Sequence, residues 1–229
     1  MSETVRPETV VVVGAGPGLG LAIARRFARE GATVALVARN RQRLAGMVEE
    51  LRGTGGAGHA FAADASEPKE LRSALTAARD TVGDPTVLVH HLSVPVPGQP
   101  TEMDYDAFAR GLAGGVGGLL VAAQELAPAM RRAGRGTVLV TGSGLALHPS
   151  AAFAGLAVQK AGVRSLTLSL AQELGPAGVH VATVTVNGLI QPGTYYDPDR
   201  IAEEFWTLHT EPPGSWRTEV HYHQPSGTP

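Results

Sequence analysis

The sequence predicts an α/β fold, a doubly wound parallel sheet of about seven strands with helices on both faces. Two observations predict it. Short apolar β-branched runs alternate with stretches of helical apolar spacing along the chain, and the first such run ends in a glycine cluster that leads directly into a helix. Apolar runs of this kind suit strands buried on both sides of a parallel sheet. The chain has 229 residues, 43% hydrophobic and 17% charged, which fits one globular domain over 1–229 with a sizeable core.

The first run, residues 9–13, reads TVVVV. It stops at the glycines, and Leu19, Ile23 and Phe27 then recur at helical spacing. Glycine lets backbone N–H groups approach a pyrophosphate closely, and the free amides of a helix N-terminus favour negative charge. The segment Gly14, Ala15, Gly16, Pro17, Gly18, Leu19, Gly20 is therefore the predicted nucleotide loop. Gly14, Gly18 and Gly20 read G-x-x-x-G-x-G. The pattern G-x-G-x-x-G fails because Leu19 holds its third glycine position.

Gly31 suits a helix C-cap, and residues 33–37 form the second predicted strand. In a dinucleotide fold the end of this strand lies over the adenosine ribose. A carboxylate there would hold the 2′-hydroxyl, whereas this chain has Ala38, Arg39 and Asn40. A guanidinium fork suits phosphate, which favours NADP(H) over NAD(H) and assigns Arg39 to the ligand. Arg41 and Arg43 are read as the solvated start of a helix over 44–52. Residues 53–58 read as a glycine-rich turn and 59–64 as the third strand. Asp64 suits an adenine amino group or the N-cap of a helix over 67–82, with Ala65 beside it.

The fourth strand and its loop cover 86–93. His90 and His91 fall at its carboxyl end, where ligands sit in open parallel sheets, and as neighbours in a strand they point to opposite faces, which argues against a metal pair. A long helix follows over about 104–133. Glycines at 111, 114, 115, 117 and 118 interrupt it, so the helix breaks there or something packs very close. Residues 137–143 form strand five, 152–174 a helix, 179–186 strand six. Asp197 and Pro198 open a last helix, and 219–223 form a seventh, edge strand. The tail 224–229 is predicted to be disordered.

Net charge is −2, which gives no electrostatic reason to expect nucleic acid or an anionic membrane. With no cysteine, disulfides, thiol nucleophiles and Cys-bound metals are excluded. His221 and His223 share a strand face but lack a third ligand nearby in sequence, so no metal site is expected. No apolar targeting core opens the chain, and no run is read as a membrane span, so a cytoplasmic, soluble protein is expected.

In this order, these motifs resemble the short-chain dehydrogenase/reductase family over almost the whole chain. The Gly14–Gly18–Gly20 loop, Asp64 and the Asn187-Gly188 pair after strand six carry the resemblance. It implies a Rossmann-like fold, an NADP(H) cofactor held also by His91 and Gly188, and a small-molecule substrate. It further implies a homodimer or homotetramer built on the helices over 104–133 and 152–174. The family's catalytic set is Asn, Ser, Tyr and Lys. Ser143 and Lys160 match; the Tyr position is Leu156, the Asn position is Gly115, and the Asn-Asn-Ala-Gly loop is His90-His91-Leu92-Ser93. Lys160 then holds the nicotinamide ribose and Ser143 the substrate oxygen. A replacement acid is sought in His148, His91, Tyr195 or Tyr196, with His148 foremost; Tyr105 and Tyr222 are read as distant from the site. The short segment between Asn187 and Asp197 implies an exposed or partner-covered pocket. Three readings remain: an NADP(H)-dependent oxidoreductase with a degenerate site, a non-redox cyclase, dehydratase or isomerase, and a non-catalytic nucleotide binder.

Overall fold

The computed structural model describes residues 8–225; the sequence readings of 1–7 and 226–229 lie outside the described residues. Seven parallel strands form one sheet in the order β3-β2-β1-β4-β5-β6-β7. They are β1 Thr9–Val13, β2 Thr33–Ala38, β3 Ala57–Ala62, β4 Val87–His90, β5 Gly136–Ser143, β6 Val179–Val186 and β7 Glu219–Tyr222. All residues of β1 and β6 are buried, as their uninterrupted apolar and threonine runs require for central positions.

Helices α1 (Leu19–Arg29), α2 (Arg41–Gly53) and α7 (Pro198–His209) cover one face, where Ile23, Phe27, Leu44 and Phe205 share a core. Helices α3 (Pro68–Val82), α5 (Gly118–Ala133) and α6 (Ala154–Leu174) cover the other, around Leu71, Leu75, Leu119, Leu126 and Val163. Asp197 caps α7 by accepting from the Asp199 amide at 2.9 Å, with Pro198 in the first turn.

Several element bounds and one cap differ from the sequence reading. Helix α2 begins at Arg41 because Asn40 caps it, its Oδ1 accepting from the Arg43 amide at 2.9 Å. Strand β3 begins at Ala57, so Gly58 belongs to the sheet and not to the turn. A Cβ on Gly58 would lie 3.0 Å from Leu51 Cδ1, and the absent side chain lets α2 pack on this strand. Asp64 does not cap α3. Its Oδ1 accepts from the Ser66 amide at 2.9 Å and the Ser66 hydroxyl at 2.7 Å, while Glu67 holds the N-cap position without a side-chain bond. Strand β7 ends at Tyr222 and pairs in parallel with β6. It is tied down by Arg164 of α6, whose fork grips Glu219 at 2.6 and 2.9 Å while Thr185 donates to the same carboxylate at 2.8 Å.

Of the two alternatives for the glycine-interrupted helix, close packing holds and a break does not. α4 (Tyr105–Leu112) passes through a π turn (Ala113–Gly117) into α5, so the rod is widened rather than broken, and its glycines face close neighbours. This rod, Tyr105–Ala133, is by length and composition apolar enough to cross a membrane, which corrects the sequence reading. It packs against α3, β4, β5 and α6 as a core helix.

Candidate active site

The strand order reverses between β1 and β4, and a cleft of ≈ 260 Å³ opens there at the carboxyl ends of the strands. Gly14, Ala15, Gly16 and Pro17 form one wall, Arg39, Asn40 and Arg43 a second, and Asp64, Ala65 and Ser66 a third. Leu92, Ser93, Val94 and Arg110 close it. The loop is anchored by the Gly14 and Ala15 amides, which both donate to the Val37 carbonyl, at 2.9 and 3.2 Å. Helix α1 starts at Leu19, directly after this loop, and the first amides of a helix have no partner within it. Cβ atoms on Gly16 and Gly18 would meet nothing within 4 Å, so the space in front of them is open to a ligand.

The glycines of this loop divide by role. Gly14 adopts φ +87°, and a Cβ there would lie 2.6 Å from the His91 carbonyl carbon and nearer still to its oxygen. Gly20 packs on the Ala15 Cα and the His91 ring, each 3.2 Å from a built Cβ, and Leu19 is buried in the core. Leu19 and Gly20 shape the loop from beneath rather than lining the cleft, and Gly14 both lines the cleft and packs on the loop after β4.

Arg39 is exposed and its Nη1 stands 3.8 Å from Asp64 Oδ2. Burial pushes the Asp64 carboxyl up, but the two Ser66 bonds and the Arg39 charge outweigh it, so its pKa lies below the usual carboxylate range. Arg43, read from the sequence as solvated helix surface, faces the cleft, as does Arg110, for which no sequence signal was noted. The i, i+4 spacing of Arg39 and Arg43 was the available clue to the first.

His91 does not line the cleft. Its ring lies beneath the loop with Nδ1 3.0 Å from the Thr141 hydroxyl. His90 is 1% exposed, and its Nε2 donates to the Gly115 carbonyl at 2.8 Å. Burial lowers the His90 pKa to about 4; burial, the Lys160 charge and His90 lower that of His91 to about 3. His91 is therefore no proton donor at neutral pH. Both histidines stay neutral in the folded chain while unfolded histidines protonate near pH 6.5. Stability is expected to fall as pH drops from 6.5 toward 4, by up to about 1.4 kcal/mol per unit for each. Urea denaturation of His90→Asn across this range should show a shallower acid loss than the parent.

Lys160 is 7% exposed, and its ammonium donates to the carbonyls of Thr141 at 2.7 Å and Leu92 at 3.3 Å. Burial lowers its pKa to about 8. The lysine thus joins the end of β5 to the loop after β4, directly under the site.

A second cavity, of ≈ 630 Å³, opens at the ends of β5 and β6. Ser143, Gly144, Leu145, His148, Phe153, Leu156, Val186, Asn187, Gly188 and Leu189 line it. The Ser143 hydroxyl oxygen accepts from the Leu145 amide at 3.2 Å, which leaves its proton free to point into the cavity. His148 is the one ionisable side chain in the lining. Leu189, at 78% exposure, and Phe153, at 59%, form an open apolar rim, in line with the short segment after Asn187. Gly188 belongs to this cavity and not to the nucleotide cleft, with the Tyr196 ring packed against its Cα.

Tyr195 and Tyr196 do not supply the cavity. The Tyr196 hydroxyl donates to the Asn187 carbonyl at 2.9 Å, and Tyr195 packs against Tyr222. Tyr222, read as distant, lies in this cluster and donates to the Tyr195 carbonyl at 3.1 Å. Among the described residues no three His, Cys, Asp or Glu side chains converge as metal ligands.

A parallel seven-stranded sheet with a glycine-fronted helix facing its strand-order reversal defines the Rossmann-like class of α/β proteins. Within that class, residues 8–194 match the short chain dehydrogenase family profile. The 2-(S)-hydroxypropyl-CoM dehydrogenase 3 of Xanthobacter autotrophicus is 32% identical over 83% of this chain and 77% of its own length. A metagenomic short-chain oxidoreductase solved in complex with NADP superposes with a TM-score of 0.86 at 28% identity, covering 95% of this chain and 98% of that one. A short-chain dehydrogenase from Rhodopseudomonas palustris gives 0.86 at 30% identity, covering 96% and 99%. The chain belongs to the short-chain dehydrogenase family.

Proposed function

We propose that this chain is an NADP(H)-dependent oxidoreductase acting on an uncharged, largely apolar carbonyl compound or the matching alcohol. The observation that carries the reading is the pairing of two cavities at one end of the sheet. One has open glycines and arginines; the other has a hydroxyl and an imidazole in an apolar wall. Arg39, just past the end of β2, and Arg43, in the first turn of α2, suit a 2′-phosphate. The solved relative complexed with NADP supports the same choice.

The cofactor, when bound, supplies or accepts the hydride. Ser143 donates its free proton as a hydrogen bond to the substrate oxygen, and His148 delivers the proton that the new alkoxide takes up. Lys160 holds the loop after β4 and the end of β5 through the Leu92 and Thr141 carbonyls. Leucine at 156 carries no proton, so the tyrosine of the family's catalytic set has no counterpart here, and Gly115 offers no asparagine amide. The reading includes a cytoplasmic location and a homodimer or homotetramer, supported by Leu120 (43% exposed) on α5 and Val158 (45%) on α6.

Fluorescence titration tests the cofactor half. NADPH should bind about tenfold tighter than NADH, and Arg39→Asp should remove that preference. No binding of either at millimolar concentration would sink the proposal. Turnover of NADPH with uncharged cyclic ketones tests the chemical half; binding without turnover on such a panel would leave the non-catalytic reading in its place.

A further inference from the structure

The glycine stretch of the α4–α5 rod makes room for one side chain, Gln159 of α6, and for the loop that it holds. Gln159 is 1% exposed. Its Oε1 accepts from the Val94 amide at 3.0 Å, while its Nε2 donates to the Val94 carbonyl at 2.8 Å and to the Gly155 carbonyl at 3.2 Å. The side-chain amide thus pairs with Val94 on both sides, as a neighbouring strand would. Its neighbour Lys160 holds the Leu92 carbonyl of the same loop.

The space for this arrangement is cleared on both helices. A Cβ on Gly111 would lie 2.8 Å from Gln159 Nε2 and 2.6 Å from Val96 Cγ2. One on Gly114 would lie 2.8 Å from Val94 Cγ2, one on Gly115 3.0 Å from Gln159 Oε1, and one on Gly155 2.6 Å from Val96 Cβ. The loop is therefore threaded between two helices along a channel that only glycines leave open. Its residues Leu92, Ser93 and Val94 form a wall of the nucleotide cleft.

We infer that Gln159 is a positioning residue: it clamps the β4–α4 loop and so sets the wall of the nucleotide cleft. This rests on the nucleotide reading of that cleft. Buried backbone groups need partners, and without the amide Val94 would lose both of its bonds to this side chain. The loop would then open locally while the sheet stays intact.

The test is Gln159→Met, which keeps the side-chain length and removes the polar atoms. Amide hydrogen exchange at Val94 should quicken by at least about tenfold. The NADPH dissociation constant should rise by about tenfold or more, while that of adenosine 2′,5′-bisphosphate, which engages the arginine end of the cleft, stays within about twofold. If the methionine variant does not fold, Gln159→Asn, which retains a shorter amide, should show the same pattern at about threefold. Unchanged exchange at Val94, unchanged NADPH binding, or equal weakening of both ligands would overturn the inference. Should the parent protein bind no NADPH, the nucleotide reading fails, and the exchange at Val94 alone decides whether the clamp exists.

Discussion

Replacing His148 with alanine is expected to lower kcat for ketone reduction by about 10²–10⁴ while leaving NADPH affinity within about twofold. Asn187 is the other polar side chain lining the cavity around Ser143, and His148 is the one ionisable group there. Ser143 can polarise a carbonyl but, with its oxygen accepting from Leu145, it serves as a hydrogen-bond donor and not as a proton reservoir. A companion variant separates the roles. Leu156 lines the same cavity one helical turn before Lys160, so a phenol there would sit within reach of both cavity and ammonium. Leu156→Tyr in the His148→Ala background should recover at least about tenfold of the lost kcat. Stopped-flow or steady-state loss of NADPH absorbance reads both. Full turnover by His148→Ala would remove the imidazole from the mechanism.

Gly14→Ala is expected to destabilise the fold by about 3 kcal/mol or more, among the larger effects of single substitutions. The position combines φ +87° with a Cβ that would run into the His91 carbonyl, which is backbone and cannot swing aside. Moving it would break the bond from the His91 amide to the Val13 carbonyl at 2.8 Å, which continues the pairing of β1 with β4. Gly16→Ala and Gly18→Ala should behave in the opposite way. Their Cβ atoms meet nothing within 4 Å, so stability should change by about 0.5 kcal/mol or less, whereas NADPH binding to Gly16→Ala, at a residue that lines the cleft, should weaken by about tenfold or more. Urea denaturation and fluorescence titration of the three variants check the contrast. Equal stability losses in all three would show that the loop has one role rather than two.

Much of this was legible without coordinates. The buried runs of β1, β2 and β6, the turn at Gly14–Gly20 and the Asp197-Pro198 start of α7 follow from residue type and local spacing. Ser143 ends the fifth strand and His148 lies in the loop that follows it, as the spacing of that run implies. The errors have a common physical origin. His91 and Tyr196 sit at the right end of the sheet, but their polar atoms are taken up by the Thr141 hydroxyl and the Asn187 carbonyl. Asp64 suits an N-cap by type, yet Ser66 captures its carboxylate two residues on.

By itself the sequence determined the parallel α/β architecture and the glycine turn that leads from β1 into α1. Only the tertiary structure decided which glycines of the turn meet close neighbours and which are open, that Arg43 and Arg110 turn toward the cleft, and that four helical glycines clear a channel for Gln159 and Val94, 65 residues apart. Local pattern reports what one segment prefers. Whether a glycine is needed, or a polar group is free, depends on which distant atoms close packing brings against it.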